Sequence, residues 1–589
     1  MDRPGPKALP GPRRQWVPWL LLAGLLVLAA VLRFRAIETR EPFVSDEADY
    51  VLEAEWVSSL TRAVWDSALL YRRERSSGED LWKKEEQLSA IRHAVRGHAP
   101  YMARPGHVLL LAVAMGFLED PALAGAWVSA FFGSMTIPLL FFLSRRLYGT
   151  RVALLACFLL AVSASHVWYS RTGFAEADTA FFVLLTVYLY VRSSEKGNLF
   201  LFCLTGLSAG LGFLVHHRFI LFLVALWILE VFRYLQARRE GKSGKALQAF
   251  FALNLCFCLP LVAVESLYHA GFIALQALGT VMPCPTYFTQ LLLILAYIQV
   301  NNLIPYAHFF DLSNFLTYPY LFWLFEGPVF CFLLVGGILT LAGRHRGPDL
   351  LVGLLLLGPL LFYSYQNAEA RFMSGSLPFA MVSAALFLHS ALEEAKKRGP
   401  AATKSAWIVL MILLALQGGA AWSRIQAQSR LRAEYREAAR YVQSQGEGKV
   451  VCAYPHPFRL YLGTDRTIVP PASEQELRNL YDQGARFAVI VEFLDYYMAR
   501  FDIPELRDRF PAIRSLLESR DLMRRVHRSS EPVFEARCDF CGSLLNILEI
   551  NLNFRKSLAF WKESRENAYN SIKVYDLGKF FRPETPDGE

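Results

Sequence analysis

Eleven segments of this chain are apolar over lengths that can cross a lipid bilayer, and no other feature limits its possible folds as strongly. A membrane-crossing helix needs about 20 mostly apolar residues. The segments are 16–34, 122–143, 152–169, 176–192, 199–215, 219–234, 246–266, 320–342, 350–365, 373–391 and 405–423. Hydrophobic residues make up 54% of the chain and charged residues only 19%, unlike soluble globular proteins. The sequence therefore predicts a polytopic α-helical membrane protein.

Two other apolar stretches do not have the form of a simple span. His107–Leu118 is too short to cross a bilayer and is better suited to an interfacial or re-entrant helix. The stretch 270–304 is interrupted by Pro283, Pro285 and the Asn301–Asn302 pair. It forms either a re-entrant region or a hairpin of two further spans. The prediction is therefore eleven spans, or thirteen if 270–304 is a hairpin.

The distribution of basic residues sets the orientation, because cytoplasmic loops are enriched in lysine and arginine. With a cytoplasmic N-terminus, the internal segments carry 20 Lys and Arg, whereas the short external connections hold only Arg171, Arg218 and Arg371. Arg33 and Arg35 end the first apolar run where a signal peptide would be cleaved, which favours an uncleaved anchor. The absence of any N-x-S/T sequon favours a bacterial inner membrane over the alternative, an ER membrane.

This orientation places two bodies outside the membrane. They are the loop 35–121, within a membrane domain 1–423, and a tail domain 424–589. In the tail, Lys449–Ala453 and Phe487–Glu492 have the pattern of strands, and Ser473–Gly484 that of a helix, which predicts an α/β domain. Its 26 Lys and Arg are balanced by 24 Asp and Glu, so it offers no basic surface for nucleic acid.

Two short tail motifs leave several interpretations open. Cys538 and Cys541 form a C-x-x-C pair, which fits a disulfide, half of a metal site, a redox pair or free thiols. Tyr454-Pro455-His456-Pro457 follows a predicted strand and either shapes a site or forms a turn, of which the turn is favoured.

Acidic residues follow the first span directly. Asp46 and Glu47 stand just outside the membrane, where Asp46 can act as a general base on an acceptor hydroxyl or amine. The alternative is a first helical turn that Ser45 caps and the helix dipole favours. Paired carboxylates can also hold a divalent metal ion, so a metal cofactor stays open.

A second acidic group lies in the tight turn between the third and fourth spans. Arg171, Glu176 and Asp178 stand there at membrane depth, where ionisable residues are costly and usually functional. The alternative is a local Arg171–Glu176 pair that closes the hairpin.

Single arginines mark two other external turns. Arg218 follows His216 and His217, and Arg371 follows a polar run. The planar guanidinium group suits phosphate recognition, whereas snorkelling or carboxylate pairing would be the structural alternative. Acids and arginines on one membrane face are expected where a lipid-linked phosphate presents its headgroup.

The order of several motifs resembles a known family. They are Pro42–Tyr50, the basic turn Ser144–Gly149, Ser163–Arg171 with Asp178 after it, and Glu369–Phe372 ahead of Leu377-Pro378. Over roughly residues 15–392 this set resembles the GT-C membrane glycosyltransferases, in particular the dolichyl-phosphate-mannose protein mannosyltransferase and aminoarabinose transferase group.

The resemblance implies a GT-C fold and transfer of a sugar from a polyprenyl-phosphate or dolichyl-phosphate donor to a protein, lipid or glycan acceptor. Asp46 would be the base, with Glu47 at the acceptor site and Glu176 or Asp178 at the second acidic position. Arg371 would bind the lipid phosphate. The family often has a lysine where this chain reads His216-His217-Arg218, so which of these three binds phosphate stays open.

A multi-span transporter or flippase of a lipid-linked or polar substrate is the main alternative. Transporters keep their ionisable residues near the bilayer midplane in interrupted helices. Here the candidate residues gather at the external ends of spans, which favours the transferase.

Overall fold

The computed structural model describes residues 16–42, 45–77, 104–241, 243–277, 286–289, 291–292, 312–366, 369–493, 511–539, 555, 558–559, 561–563 and 570–581. Most of them are helical, and five strands lie toward the C-terminus. The helices include α1 (Val17–Phe34), α2 (Ser45–Ser77), α3 (Pro105–Met115), α4 (Ala124–Tyr148), α5 (Thr150–Ala161), α6 (Ala164–Tyr169), α7 (Glu176–Lys196), α8 (Leu199–Val215), α9 (Ile220–Arg239), α10 (Ser243–Ala277), α11 (Thr317–Leu321), α12 (Pro328–Arg344), α13 (Gly347–Gln366), α14 (Leu377–Lys397), α15 (Pro400–Ser429), α16 (Tyr435–Ser444), α17 (Pro455–Leu462), α18 (Glu474–Asp482), α19 (Pro511–Ser529) and α20 (Leu577–Phe581). The strands are β1 (Lys449–Cys452), β2 (Thr467–Ile468), β3 (Ala485–Val491), β4 (Phe534–Arg537) and β5 (Ser571–Asp576).

The prediction of an integral membrane protein is confirmed. Among the described residues, six helices are long and apolar enough to cross a bilayer. They cover Val17–Phe34, Pro121–Tyr148, His217–Arg239, Ser243–Ile273, Gly347–Tyr365 and Pro400–Ser429. Shorter apolar helices are α3, α5, α8 and α12. Most of 270–304, for which a hairpin was one prediction, lies outside the described residues.

Helix α3 has the form expected of the short apolar stretch near residue 107. Its 11 residues rise about 16 Å, too little to cross a bilayer. It buries His107, Val108 and Leu111 against its neighbours and leaves Leu109 and Val113 exposed. One apolar stripe therefore faces outward, as in a helix that lies at a membrane interface.

The predicted span 152–169 is interrupted, because α5 ends at Ala161 and α6 begins at Ala164. A buried helix end must find partners for its free carbonyl groups. Arg33 of α1 supplies them: its guanidinium donates to the carbonyl oxygens of Leu160 at 3.3 Å and Ala161 at 3.2 Å. It also donates to Nδ1 of His166 at 2.8 Å. The arginine that ends the first apolar run thus caps a broken membrane helix.

A second break faces the first one. The predicted span 320–342 is interrupted at Gly327, whose φ of 96° belongs to the left-handed region that glycine tolerates. The preceding Glu326 is fully buried and accepts hydrogen bonds from Ser163 Oγ at 2.8 Å and the Ser165 amide at 3.1 Å. Arg33 and Glu326 therefore satisfy the two sides of the α5–α6 break.

The tail contains a mixed sheet of order β2-β1-β3-β5-β4. Strand β1 pairs in parallel with β2 and β3, while β5 pairs antiparallel with β3 and β4. Helices α18 and α19 pack on one face, and α16 and α17 pack on the other. Strands β1 and β3 and helix α18 lie where the sequence predicts them, and Ser473 caps α18 by accepting from the Glu476 amide.

The tail packs against the membrane-spanning part through α17 and α2. His456 of α17 pairs with Asp49 of α2, and Arg436 of α16 pairs with Asp120. The interpretation of Tyr454–Pro457 as a turn is therefore wrong, because Pro455 starts a helix whose first residues contact α2. Cys538 is buried beside Tyr435, whereas Cys541 lies outside the described residues.

Candidate active site

Helix α2 brings Asp46 to one end of the helix bundle, which we call the site end; the turns 170–175 and 369–376 also lie there. Glu47, Tyr50, Val51 and Ala54 are buried with helical spacing, so one face of α2 packs against the bundle. Asp46 stands beside this face and keeps 43% of its side chain exposed. It is therefore held rigidly and is still open to solvent.

Arg371 binds Asp46 directly. Its Nη1 donates to Asp46 Oδ2 at 3.0 Å, and its Nε donates to Glu369 Oε2 at 2.7 Å. Asp46 and Arg371 are 325 positions apart in the chain, and the sequence predicts both for the site. The structure brings them into contact.

Arg218 lies on the other side of Glu369. Its Nη2 is 3.7 Å from Glu369 Oε1, and its guanidinium carbon lies 3.2 Å from the ring centroid of Phe372. The Nη1 atom is buried and has no hydrogen-bond partner. Arg218 is thus oriented by an aromatic ring and retains unused donors.

The two histidines before Arg218 have different positions. Nδ1 of His216 accepts from the Arg218 amide at 3.2 Å, so the proton of a neutral ring is on Nε2, which lies 3.6 Å from Glu176 Oε1. His217 packs beside His216 with ring centroids 5.0 Å apart, and its Nδ1 has no partner. Of the three candidates for phosphate binding, Arg218 has the charge and the free donors.

Arg104 is a site residue that sequence reasoning missed. It stands just before α3, is 5% exposed, and places its guanidinium 4.9 Å from the ring centroid of Tyr50. Its Nη1 also has no hydrogen-bond partner. The charges of Arg104, Arg218 and Arg371 all act on Asp46, so three guanidinium groups surround one part of the site. The sequence signal that could have identified Arg104 is its position directly before a proline and an apolar helix.

His107, also missed, joins three elements. Its Nδ1 is 2.8 Å from Asp178 Oδ2 on α7, and its Nε2 is 2.9 Å from the Gly173 carbonyl oxygen. The carbonyl can only accept, so Nε2 carries a proton and donates it. A second proton must lie between Nδ1 and the carboxyl group. The side chains of His107 and Asp178 are both fully buried, so this pair is an internal contact that joins α3 to α7.

The two acids of the second acidic position have different environments. Asp178 is bound to His107, but neither carboxylate oxygen of Glu176 accepts a hydrogen bond from the part of the chain that the structure describes, although the residue is only 3% exposed. The charges of Arg104, Arg371 and Arg218 act on Glu176.

Two of the sequence candidates have structural contacts instead. Glu47 Oε1 accepts from the Gly173 amide at 2.9 Å, which fixes the turn against α2. Gly125 lies so near this turn that a β-carbon on it would be 2.6 Å from the Gly173 α-carbon. Arg171 donates to the Arg35 carbonyl at 2.9 Å rather than to Glu176, so the structure does not bring it into the cluster.

Asp46 is ionised at neutral pH. Burial favours its neutral form, but the charges of Arg371 and Arg104 and the Arg371 hydrogen bond outweigh burial and hold the pKa of Asp46 below its ordinary value. Asp46 and Glu47 point to different partners, and the described residues include no group of three His, Cys, Asp or Glu that could hold a metal.

The chain resembles known proteins in sequence over one part and in fold over most of its length. Residues 99–267 match the family model of dolichyl-phosphate-mannose-protein mannosyltransferases. The match confirms the resemblance recognised in the sequence over the part that it covers, and that part includes Arg104, His107, Glu176, Asp178 and Arg218. No curated protein matches the chain by sequence.

Solved structures share the fold at low identity. The Archaeoglobus fulgidus oligosaccharyltransferase, tethered with an acceptor peptide, matches with a TM-score of 0.55 at 12% identity over 86% of this chain and 72% of its own. AglB of the same organism, in complex with an inhibitory peptide and a dolichol-phosphate, matches with a TM-score of 0.55 at 12% identity over 84% and 72%. ArnT from Cupriavidus metallidurans, bound to undecaprenyl phosphate, matches with a TM-score of 0.48 at 14% identity over 82% and 95%. The chain thus has the fold of a membrane oligosaccharyltransferase, and its residues 99–267 have the sequence pattern of dolichyl-phosphate-mannose-protein mannosyltransferases.

Proposed function

We propose that this protein is a glycosyltransferase of the GT-C type that moves a sugar from a polyprenyl-phosphate or dolichyl-phosphate donor to an acceptor at the external membrane face. The observation that carries the proposal is the contact between Asp46 and Arg371 near two arginines whose buried Nη1 atoms have no hydrogen-bond partner among the described residues. The family match, and the dolichol-phosphate bound in the AglB structure that shares the fold, support the same chemistry.

The donor phosphate binds among Arg104, Arg218 and Arg371. Guanidinium groups bind phosphate oxygens through parallel N–H donors, and these bonds are strong when both partners are charged. Nη1 of Arg104 and Nη1 of Arg218 are buried without a partner, so a phosphate oxygen would satisfy donors that the protein leaves free.

An apolar cavity of about 390 Å³ suits part of the prenyl chain. Its walls come from α12, α13 and the segment 315–323. Tyr318, which lines it, donates to the Glu369 carbonyl at 3.1 Å, and Ser364 lines it next to Tyr363, whose ring lies 4.6 Å from that of Phe372. Tyr318 therefore links the wall of the cavity to Glu369, which contacts Arg218.

Asp46 acts as the base. It takes the proton from an acceptor hydroxyl or amine, the acceptor atom bonds to the anomeric carbon, and the bond from that carbon to the phosphate oxygen breaks. The electron pair leaves with the phosphate, whose new charge the arginines stabilise. A single displacement inverts the anomeric centre.

The Asp46–Arg371 ion pair makes the base depend on the donor. A carboxylate with a lowered pKa is a weak base. A phosphate competes for Arg371, and as Asp46 loses that hydrogen bond and the pull of that positive charge, its pKa rises and it becomes a stronger base. The base is thus activated when the donor is bound.

The topology is part of the proposal. The N-terminus is cytoplasmic, the chain crosses the membrane eleven or thirteen times, and the loop 35–121 and the tail 424–589 lie outside, in a bacterial inner membrane or, alternatively, an ER membrane. The asymmetry of basic residues and the position of all candidate residues at one end of the bundle support this arrangement.

The substitution Asp46→Asn tests the base. Because a general base contributes about 10²–10⁴-fold, the variant should lose transfer by that factor and still insert and fold. Asp66→Asn is the matched control, since Asp66 lies on the same helix and is exposed. The measurement is transfer of labelled sugar from lipid donors extracted from the producing cells. Near-full activity in Asp46→Asn would show that the base is wrong, and movement of the donor across the membrane without transfer would contradict the whole proposal.

A further inference from the structure

Glu176 is a buried carboxylate whose hydrogen-bonding capacity the protein does not use. It is the first residue of α7, and it makes no capping hydrogen bond there. The helix dipole helps to stabilise its charge, which explains why it is tolerated but not what its oxygens bind. Both oxygens are buried and accept no hydrogen bond from the described residues, and His216 Nε2 lies 3.6 Å from Oε1. An unsatisfied buried carboxylate is costly, so a ligand that donates hydrogen bonds is expected.

The surroundings of Glu176 limit the ligand. Arg104, Arg218 and Arg371, which bind the donor phosphate in the proposed function, are near enough for their charges to act on Glu176. Glu176 is 3% exposed, whereas the side chain of Asp46 is 43% exposed. An acceptor arriving from solvent reaches Asp46, so Glu176 faces the part of the donor that is enclosed in the protein.

We propose that Glu176 recognises the transferred sugar by accepting hydrogen bonds from its ring substituents, an inference that rests on the proposed function. The sugar is the only part of the donor that carries O–H or N–H groups next to the phosphate. Two carboxylate oxygens can accept from two neighbouring substituents, and they can equally bind one ammonium group of an amino sugar. Glu176 is then the residue that selects the sugar, whereas Asp178, bound to His107, is a positioning residue.

The test compares lipids with and without a sugar. The full chain in lipid nanodiscs is titrated with undecaprenyl phosphate and with undecaprenyl phosphates that carry mannose, glucose, galactose or 4-amino-arabinose. A hydrogen bond to a charged group corresponds to about a 10- to 100-fold gain in affinity, so the wild type should bind one sugar-bearing lipid that much more tightly than undecaprenyl phosphate. Glu176→Ala should remove this gain and leave the affinity for undecaprenyl phosphate undiminished.

Glu176→Gln separates the two kinds of sugar. The amide oxygen still accepts from a hydroxyl group, so most of the gain should remain for a neutral sugar. The amide cannot balance an ammonium group, so the gain should disappear for an amino sugar.

The Tm of the ligand-free variants distinguishes a sugar-binding Glu176 from a structural one, because the two roles predict changes of opposite sign. Removing a buried carboxylate without partners should maintain or raise the Tm of the ligand-free protein, whereas a structural glutamate would lower it when replaced. Glu195→Ala is the matched control, because Glu195 is on the same helix, 41% exposed and paired with Arg146 at the opposite end of the bundle. This control should change neither binding nor the sugar gain.

Three results would overturn the assignment: a sugar gain that persists in Glu176→Ala, equal weakening of undecaprenyl phosphate and the sugar-bearing lipids, or no gain in the wild type for any of the four sugars. A wild type that does not bind undecaprenyl phosphate at all would instead contradict the proposed function.

Discussion

Arg104 and Arg218, whose charges both act on Asp46, each have a buried Nη1 atom with no hydrogen-bond partner among the described residues. Arg104 is 5% exposed, and the side chain of Arg218 is 20% exposed. Burying a cation without partners costs free energy, so a protein keeps such groups where a ligand completes them. Arg371 differs, because Asp46 and Glu369 already occupy its donors. The three arginines therefore divide into two with a buried donor atom that the described residues leave unused and one whose donors are already occupied.

We expect Arg104→Gln and Arg218→Gln each to weaken undecaprenyl phosphate binding about 10- to 100-fold, because each removes charged hydrogen bonds to the phosphate. Binding is measured by titration of the full chain in nanodiscs. Arg151→Gln is the control, since Arg151 is 61% exposed and pairs with Glu393 away from the site. Unchanged binding in Arg104→Gln would remove Arg104 from the phosphate site.

Some of these site residues could be predicted from the sequence and others could not, for a physical reason. Asp46, Arg218 and Arg371 stand out because external connections otherwise avoid charge beside the membrane. Arg104 lies in a loop with many other charges, and His107 lies within an apolar stretch where a satisfied core histidine is the ordinary case. Only the three-dimensional contacts show that Nη1 of Arg104 has no hydrogen-bond partner among the described residues and that His107 binds Asp178.

At the scale of elements, the geometry of the site depends on how α2, α3 and α7 are joined. His107 of α3 binds Asp178 of α7 and the Gly173 carbonyl, and the Gly173 amide binds Glu47 of α2. Through this chain of contacts, the helix preceded by Arg104 is held at a fixed distance from the helix that carries Asp46. A single buried histidine, His107, thus positions both the proposed base Asp46 and Arg104, one of the proposed phosphate-binding residues.

Replacing His107 with leucine should destabilise the protein by about 3–5 kcal/mol, because it leaves a buried carboxyl group without its partner. Asp178→Asn should cost no more than about 1–1.5 kcal/mol, because the amide N–H can donate to Nδ1 of a neutral histidine and preserve the contact. Chemical unfolding in detergent measures both. Equal losses in the two variants would show that Asp178 has a role beyond its bond to His107.

The interruptions of the membrane helices could not be predicted from apolar runs. The segments 152–169 and 320–342 are continuous in hydropathy, yet the first breaks where Arg33 donates to its carbonyl oxygens, and the second breaks at Gly327, next to Glu326, which accepts from the Ser165 amide of the first segment. Length and composition show that a segment can cross a membrane, whereas a break depends on partners more than 100 residues away in the chain.

At the scale of the whole molecule, the tail is attached next to the site. Asp49, the partner of His456, is one turn of α2 after Asp46. A second contact lies nearby, where Glu41 accepts from the Arg436 amide at 3.0 Å and the Arg436 side chain pairs with Asp120. The position of the tail is therefore coupled to the helix that presents the proposed base.

Attachment of the tail should depend on pH through Glu41. Burial raises the pKa of Glu41 to about 7, more than the Arg436 amide and charge lower it. A carboxyl group with a raised pKa binds its proton more tightly in the folded state. The folded state is then most stable below the ordinary pKa, and this stability is lost as the pH rises toward about 7.

We expect Glu41→Gln to raise the stability of the attached tail at pH 8 and to have little effect at pH 4.5, because the neutral amide mimics the protonated acid. The gain at pH 8 should be on the order of 1–3 kcal/mol, reduced where solvent screens the charge. Limited proteolysis and thermal unfolding at the two pH values measure it. The His456–Asp49 contact is unchanged in this variant, so the difference from the wild type isolates Glu41. An equal effect at both pH values would show that packing at position 41, rather than its titration, determines how firmly the tail is held.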